Sequence, residues 1–88
     1  VLGVYFDPNY TAGGAKISRL SPNEGAEKAG IPVGAIIRSI DGFKIPDTDT
    51  AIVRIRSYVP GATVTIVVDL PGGGSKTFKV TLGSAPAL

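Results

Sequence analysis

Side chains able to do chemistry are few in these 88 residues, and ordinary structural duties account for most of them. The chain contains no His and no Cys. Ser–His and Cys–His nucleophile pairs, imidazole or thiolate metal ligands and disulfides are therefore excluded. The nearest approach to a carboxylate cluster is Asp41, Asp47 and Asp49. A hard cation needs about six to eight oxygen ligands, and these three lack the spacing of a calcium-binding loop. One turn acid followed by two acids at a helix start explains them through capping and the helix dipole. Ser75 and Lys76 have the residue types of a Ser–Lys nucleophile pair. They follow Pro71-Gly72-Gly73-Gly74, which makes them part of a solvated hairpin turn. The glycine run is not a phosphate cradle either, because no helix follows it. No catalytic residue, metal site or cofactor is expected.

The composition narrows the partners. Nine Lys and Arg stand against seven Asp and Glu, a net charge of +2. The basic residues are scattered, from Lys16 and Arg19 to Lys76 and Lys79. With no block of like charge, nucleic acid and anionic lipid are not expected partners. A 43% apolar content supports one modest core in one small domain. No apolar run reaches the roughly 18 residues of a membrane span, and no signal-peptide pattern is present.

Gly and Pro divide the chain into short elements. A strand over 1–7 is ended by Asp7-Pro8-Asn9, and Thr11-Ala12-Gly13-Gly14 is a loop. Residues 15–20 alternate as a strand, with Ala15 and Ile17 inward and Lys16 and Ser18 outward. Ser21, Pro22 and Glu24 form a capping-box signature, with Asn23 as a competing cap, for a short helix over 23–29. Gly30 is placed to end it. A strand over 35–40 buries Ile36 or Ile37, and Asp41-Gly42 turns the chain into a short extended piece over 43–45.

Asp47, Thr48 and Asp49 are candidate caps for a second helix. Its apolar face is Ala51, Ile52, Ile55 and Val59, and Pro60-Gly61 stops it. Strands over 62–70 and 75–82 close as a β-hairpin, with Phe78, Val80 and Leu82 on one face. Hairpins dominate and helices are few, so the class is α+β: a small antiparallel sheet folded over two helices.

The stretch "AGIPVGAIIRSIDGFKI", Ala29 to Ile45, resembles a run found in bacterial PDZ domains, most closely those attached to trypsin-like HtrA serine proteases. "SPNEGAEKAG", "PGATVTIVV" and "GGSKTFKVTLG" are similar to the segments flanking it, so the resemblance spans nearly the whole chain. There are two departures. Ala35 stands where the family usually has Asp, and Gly25 where it often has Pro. Neither position binds ligand in the family. The resemblance implies a PDZ-like β-sandwich or partly open barrel with two helices over residues 1–83, followed by a tail over 84–88.

The same resemblance makes "VLGV", Val1 to Val4, look like the carboxylate-binding loop that precedes the ligand strand; taken alone, the four residues also read as a plain edge strand with one Gly. A peptide C-terminus carries one negative charge and needs several N–H donors, which a tight loop supplies as a nest. The donors would be the amides of Leu2, Gly3 and Val4, with Leu2 and Val4 walling the pocket. Gly3 would let the backbone bend and approach closely. A bound peptide would add as a strand to Val4, Tyr5 and Phe6. Thr48, Ala51, Ile52 and Ile55 of the second helix would face it, with Ile52 assigned to the core and Ile55 to the pocket. The family's Ser/Thr-selecting class carries a His at the start of this helix. Here Thr48 or Ala51 stands near that place, so an apolar ligand residue is expected there.

The function implied is a non-catalytic peptide-binding module that captures apolar C-termini and regulates an attached serine protease. By family resemblance the setting is extracytoplasmic, and the native protein is expected to continue upstream into that protease domain. The partners implied are C-terminal peptides of unfolded or other proteins and the protease domain itself. Two alternatives stay open: a packing element that takes no free peptide, and a PDZ domain of a membrane-embedded or C-terminal-processing protease. The sequence ends Ser84-Ala85-Pro86-Ala87-Leu88, an apolar terminus of the kind the groove would accept, so tail-in-groove self-association is a further expectation.

Overall fold

The computed structural model describes residues 1–84; the tail expectation falls on 85–88 and lies outside the described residues. Six strands and two helices follow in the order β1 (Val4–Phe6), β2 (Ala15–Leu20), α1 (Gly25–Ala29), β3 (Ile36–Ile40), β4 (Phe43–Lys44), α2 (Thr48–Arg56), β5 (Thr63–Asp69) and β6 (Ser75–Thr81). The strands form one antiparallel sheet in the order β1-β2-β3-β5-β6, with β4 paired to β3. The Gly83 N–H donates to the Val1 carbonyl at 2.9 Å, tying the end of β6 to the residues before β1. The two ends of the sheet thereby meet, and the sheet curls into a partly open barrel.

The core is a single cluster. Ala15 and Ile17 of β2, Ile37 and Ile40 of β3, and Ile66 and Val68 of β5 are completely buried, joined by Val64, Phe78, Val80 and Leu82. The alternation of β2 and of the β5–β6 hairpin places those side chains on one face, as the period-two pattern requires. Asp41-Gly42 turns with both residues in the left-handed region, φ +50° and +81°, the geometry of a two-residue hairpin. Gly30 ends α1 at φ +89°, donating to the carbonyls of Ala26 and Glu27.

Four local expectations need correction. The first strand begins at Val4, not Val1. Gly3 sits at φ +89°, outside strand geometry, and the Leu2 carbonyl is taken by the Ala26 N–H at 3.0 Å. Ser21 does not cap α1. The chain is left-handed at Asn23 (φ +62°), Glu24 is the N-cap without a side-chain bond, and the Glu27 carboxylate instead accepts from the Asn23 N–H at 2.9 Å.

The second helix ends earlier than Pro60-Gly61. Ser57 caps it, its hydroxyl donating to the Arg54 carbonyl at 2.6 Å, and this leaves Val59 beyond the helix and 70% exposed. Finally, Ile55, assigned to the pocket, belongs to the core, and Ile52, assigned to the core, does not. Ala51 and Ile55, one turn apart, form the buried seam, with Ile55 only 5% exposed, whereas Ile52 is half-buried. The helix rests on β2 and β3, and a rotation of about 100° per residue carries Ile52 off the seam.

Candidate functional site

The end strand β1 pairs with β2 on one side only. Val4 lies opposite Leu20, and the Ser21 N–H donates to the Gly3 carbonyl at 2.9 Å. In an antiparallel ladder that bond marks Val4–Leu20 as a non-hydrogen-bonded pair. The N–H and C=O of Val4 therefore point away from β2. The same logic holds at Phe6, opposite Ile17, because the next bond runs from the Asp7 N–H to the Lys16 carbonyl at 3.0 Å. Val4 and Phe6 thus present a donor and an acceptor each to the free edge, at the repeat an added strand would need.

The residues before that edge carry unpaired donors. The N–H groups of Leu2 and Gly3 have no acceptor among the described residues, and the Val4 N–H continues the row. Three consecutive amides lie where the chain bends at Gly3. Local packing holds the bend. Leu2 and Gly3 are bonded through their carbonyls to Ala26 and Ser21, and Glu24 fills the space against Gly3 so closely that an added Cβ would lie 2.3 Å from the Glu24 Cβ. The side chains of Leu2 and Val4 are completely buried. They are core under the loop rather than open pocket walls, part of the same buried cluster as Ala26 and Ile17.

From the helix side, Thr48 and Ile52 are half-buried, while Ala51 and Ile55 face inward. Asp47 fixes the start of α2, its carboxylate accepting from the Thr50 N–H at 2.8 Å and the Thr50 hydroxyl at 2.6 Å. Both bonds hold its pKa below the usual carboxylate value. The Gly14 N–H donates to the Pro46 carbonyl at 2.9 Å, tying the β1–β2 loop to the residues before α2. A pocket of about 260 Å³ opens there, lined by Tyr10, Thr11, Pro46, Thr48 and Asp49 among others. A second pocket, about 350 Å³, lies between α1 and the end of β6, lined by Glu24, Lys28, Thr81 and Gly83 among others.

The turn acid Asp41 is held by hydrogen bonds. The Asp41 carboxylate accepts from the Thr65 N–H at 2.7 Å and the Tyr58 hydroxyl at 2.8 Å. These bonds lower its pKa, while burial first and then the Asp41 bond raise that of Tyr58. Among the described residues no three acids converge as a metal site. Ser75 and Lys76 are exposed at the start of β6.

One residue beside the edge escaped the sequence pattern. Strict alternation along β2 turns Arg19 inward, but a bulge against Tyr5 and Phe6 shifts the register and leaves Ser18 and Arg19 both exposed. The Ser18 hydroxyl donates to the Tyr5 carbonyl at 3.1 Å, and the Arg19 guanidinium lies 4.2 Å from the centre of the Tyr5 ring. The Ser21 hydroxyl and then Arg19 lower the pKa of the Tyr5 phenol.

No family model matches the chain. Individual proteins do. It is 38% identical over 84 residues to the serine protease PepD of Mycobacterium tuberculosis, covering 96% of this chain and 18% of that protein. It is 43% identical over 61 residues to a probable periplasmic serine endoprotease, DegP-like, of Bartonella henselae, covering 69% of this chain and 12% of that one. The chain therefore spans less than a fifth of either relative.

Among solved structures, the HtrA-type protease AlgW with a decapeptide superposes at a TM-score of 0.84 with 19% identity, over 100% of this chain and 30% of that one. The HtrA3 PDZ domain bound to a phage-derived ligand, FGRWV, superposes at 0.74 with 18% identity, over 92% of this chain and 82% of that one. The solved structures establish the fold as that of a PDZ domain, and the two curated relatives, both serine proteases by name, supply the sequence kinship.

Proposed function

We propose that this chain is the non-catalytic peptide-capture module of an extracytoplasmic HtrA-like serine protease, taking apolar C-termini as an added strand on β1 and thereby governing the attached protease. The observation that carries this reading is the free edge of Val4 and Phe6, preceded by the unpaired amides of Leu2 and Gly3. Main-chain bonds along that edge give sequence-independent affinity, and the amide row answers the terminal carboxylate. Ile52 and Thr48, both half-buried on α2, form the facing wall, with Ala51 and Ile55 as the floor beneath. A wall without His favours an apolar ligand residue over Ser or Thr. The AlgW structure with a decapeptide and the ligand-bound HtrA3 PDZ domain support a peptide partner, and the name of the Bartonella relative supports the compartment.

The test is a titration of the folded domain with a short peptide ending in Val, once with a free carboxylate and once amidated. A dissociation constant around micromolar, roughly 8 kcal/mol, is expected for the free acid, with a large loss on amidation. Equal affinity for both forms would remove the amide row from the site.

A further inference from the structure

We propose that Arg19 and Tyr5 form a specificity subsite for the penultimate residue of the bound peptide, and that this subsite selects an acidic side chain. The inference rests on the β-augmentation reading above and deepens it. A peptide whose carboxylate meets the amides of Leu2, Gly3 and Val4 has its last residue opposite Val4. An antiparallel strand then sets the penultimate residue opposite Tyr5 and the one before it opposite Phe6. Directly opposed residues project their side chains to the same face. Val4 is completely buried and Phe6 half-buried, so both are directed toward the core, whereas Tyr5 is 37% exposed on the outer face. The penultimate side chain is therefore the one delivered to the outer face beside Tyr5.

What it meets there is a cation. Arg19 lies opposite Tyr5 on β2, outward because of the bulge. Its Cα is two strand spacings, about 10 Å, from that of the incoming residue. The guanidinium, however, lies across the Tyr5 ring, 4.2 Å from the centroid, which brings the charge one strand closer to the ligand. Arg19 has no carboxylate partner among the described residues, where the ion pair is Arg38–Asp69. Lys16, also on the outer side of β2, adds positive charge, its ammonium group 5.7 Å from the Tyr10 ring. A guanidinium held on an aromatic face keeps its edge N–H groups free for a carboxylate. Glu or Asp at the penultimate position supplies that carboxylate, and Lys or Arg there is repelled.

The experiment uses three peptides that end in the same free-carboxylate Val and differ only in the penultimate residue, Glu, Ala or Lys. Each is titrated into the wild type, R19Q and R19E, with thermal melts confirming that all three fold and an amidated Ala peptide as control. The expected order for the wild type is Glu, then Ala, then Lys, with Glu over Lys by about fivefold at low salt, shrinking as salt is added. R19Q should flatten the series and R19E should invert it. If the wild type shows no Glu preference, or the preference survives unchanged in R19E, the subsite is overturned. Carboxylate-dependent binding of the Ala peptide would still leave the groove reading standing. If none of the peptides binds, both fall together.

Discussion

Gly3 and Glu24 are packed without room for a single additional atom: a Cβ on Gly3 would stand 2.3 Å from the Glu24 Cβ, and Gly3 already occupies φ +89°. Two independent demands, backbone conformation and close approach, thus fall on the residue at the centre of the amide row. Glu24 also reaches Gly83, whose added Cβ would lie 2.9 Å from the Glu24 Oε2. The turn before α1 therefore wedges the amide row against the end of β6.

Gly3→Ala should cost about 2 to 4 kcal/mol, the sum of a strained left-handed backbone and a clash that either chain must move to relieve. Chemical denaturation measures the loss. Because relief of the clash moves the amides of Leu2, Gly3 and Val4, affinity for a free-carboxylate peptide should fall further than the population of folded protein does. A variant of unchanged stability would show that the loop yields easily.

Ile55 and Ile52 should separate cleanly. Ile55→Ala opens a cavity in the core and is expected to cost about 2 to 5 kcal/mol. Ile52→Asp changes a half-buried position outside the core cluster, so stability should move by less than the Ile55 change costs while affinity for an apolar C-terminus drops. A melt beside a peptide titration for each variant is the check. Loss of fold in Ile52→Asp would assign that side chain to the core instead.

Asp41 and Tyr58 set opposite pH limits. The Asp41 pKa is lowered by the Thr65 N–H and the Tyr58 hydroxyl, so the folded state holds its proton less tightly than the unfolded chain. The stabilisation is complete above the ordinary carboxylate range, about pH 4, and is lost as pH falls through the lowered folded value. The Tyr58 pKa is raised, chiefly by burial. Its contribution is intact below the ordinary tyrosine value of about 10 and is lost as pH climbs through the raised folded value. Asp41→Asn should lower stability at neutral pH and shrink the acid-side decline, and Tyr58→Phe should shrink the alkaline one. Denaturation midpoints across pH measure both.

Removal of the Arg19 charge should leave stability nearly unchanged. The side chain is exposed and its contact is a surface stack on Tyr5, worth about 0.5 to 1 kcal/mol at most. Arg19→Gln is accordingly expected to shift the melting temperature by only a few degrees. A large shift would mean that the stack organises β1 itself.

Much of this molecule was legible in one dimension. Strands β2 and β6 follow from alternation and β5 from its β-branched residues, and the Asp41-Gly42 turn and the Gly30 cap follow from residues that tolerate left-handed backbone; each is a local preference that tertiary packing had no reason to overrule. The absence of His and Cys excluded whole classes of chemistry before any fold was considered, and the run from Ala29 to Ile45 carried the family resemblance.

Only the tertiary structure decided the rest. Helical spacing placed both Ile52 and Ile55 on one apolar face, but which of them is buried depends on the angle at which α2 settles on β2 and β3. Alternation turned Arg19 inward, but the bulge opposite Tyr5 and Phe6 turned it out. Gly3 stood out in the sequence as a lone Gly in an apolar run, yet the contact that confines it comes from Glu24, on a different turn of the chain. Local propensity is fixed by neighbours in sequence, while burial, register and the free edge of β1 are fixed by contacts between elements, which a one-dimensional pattern does not contain.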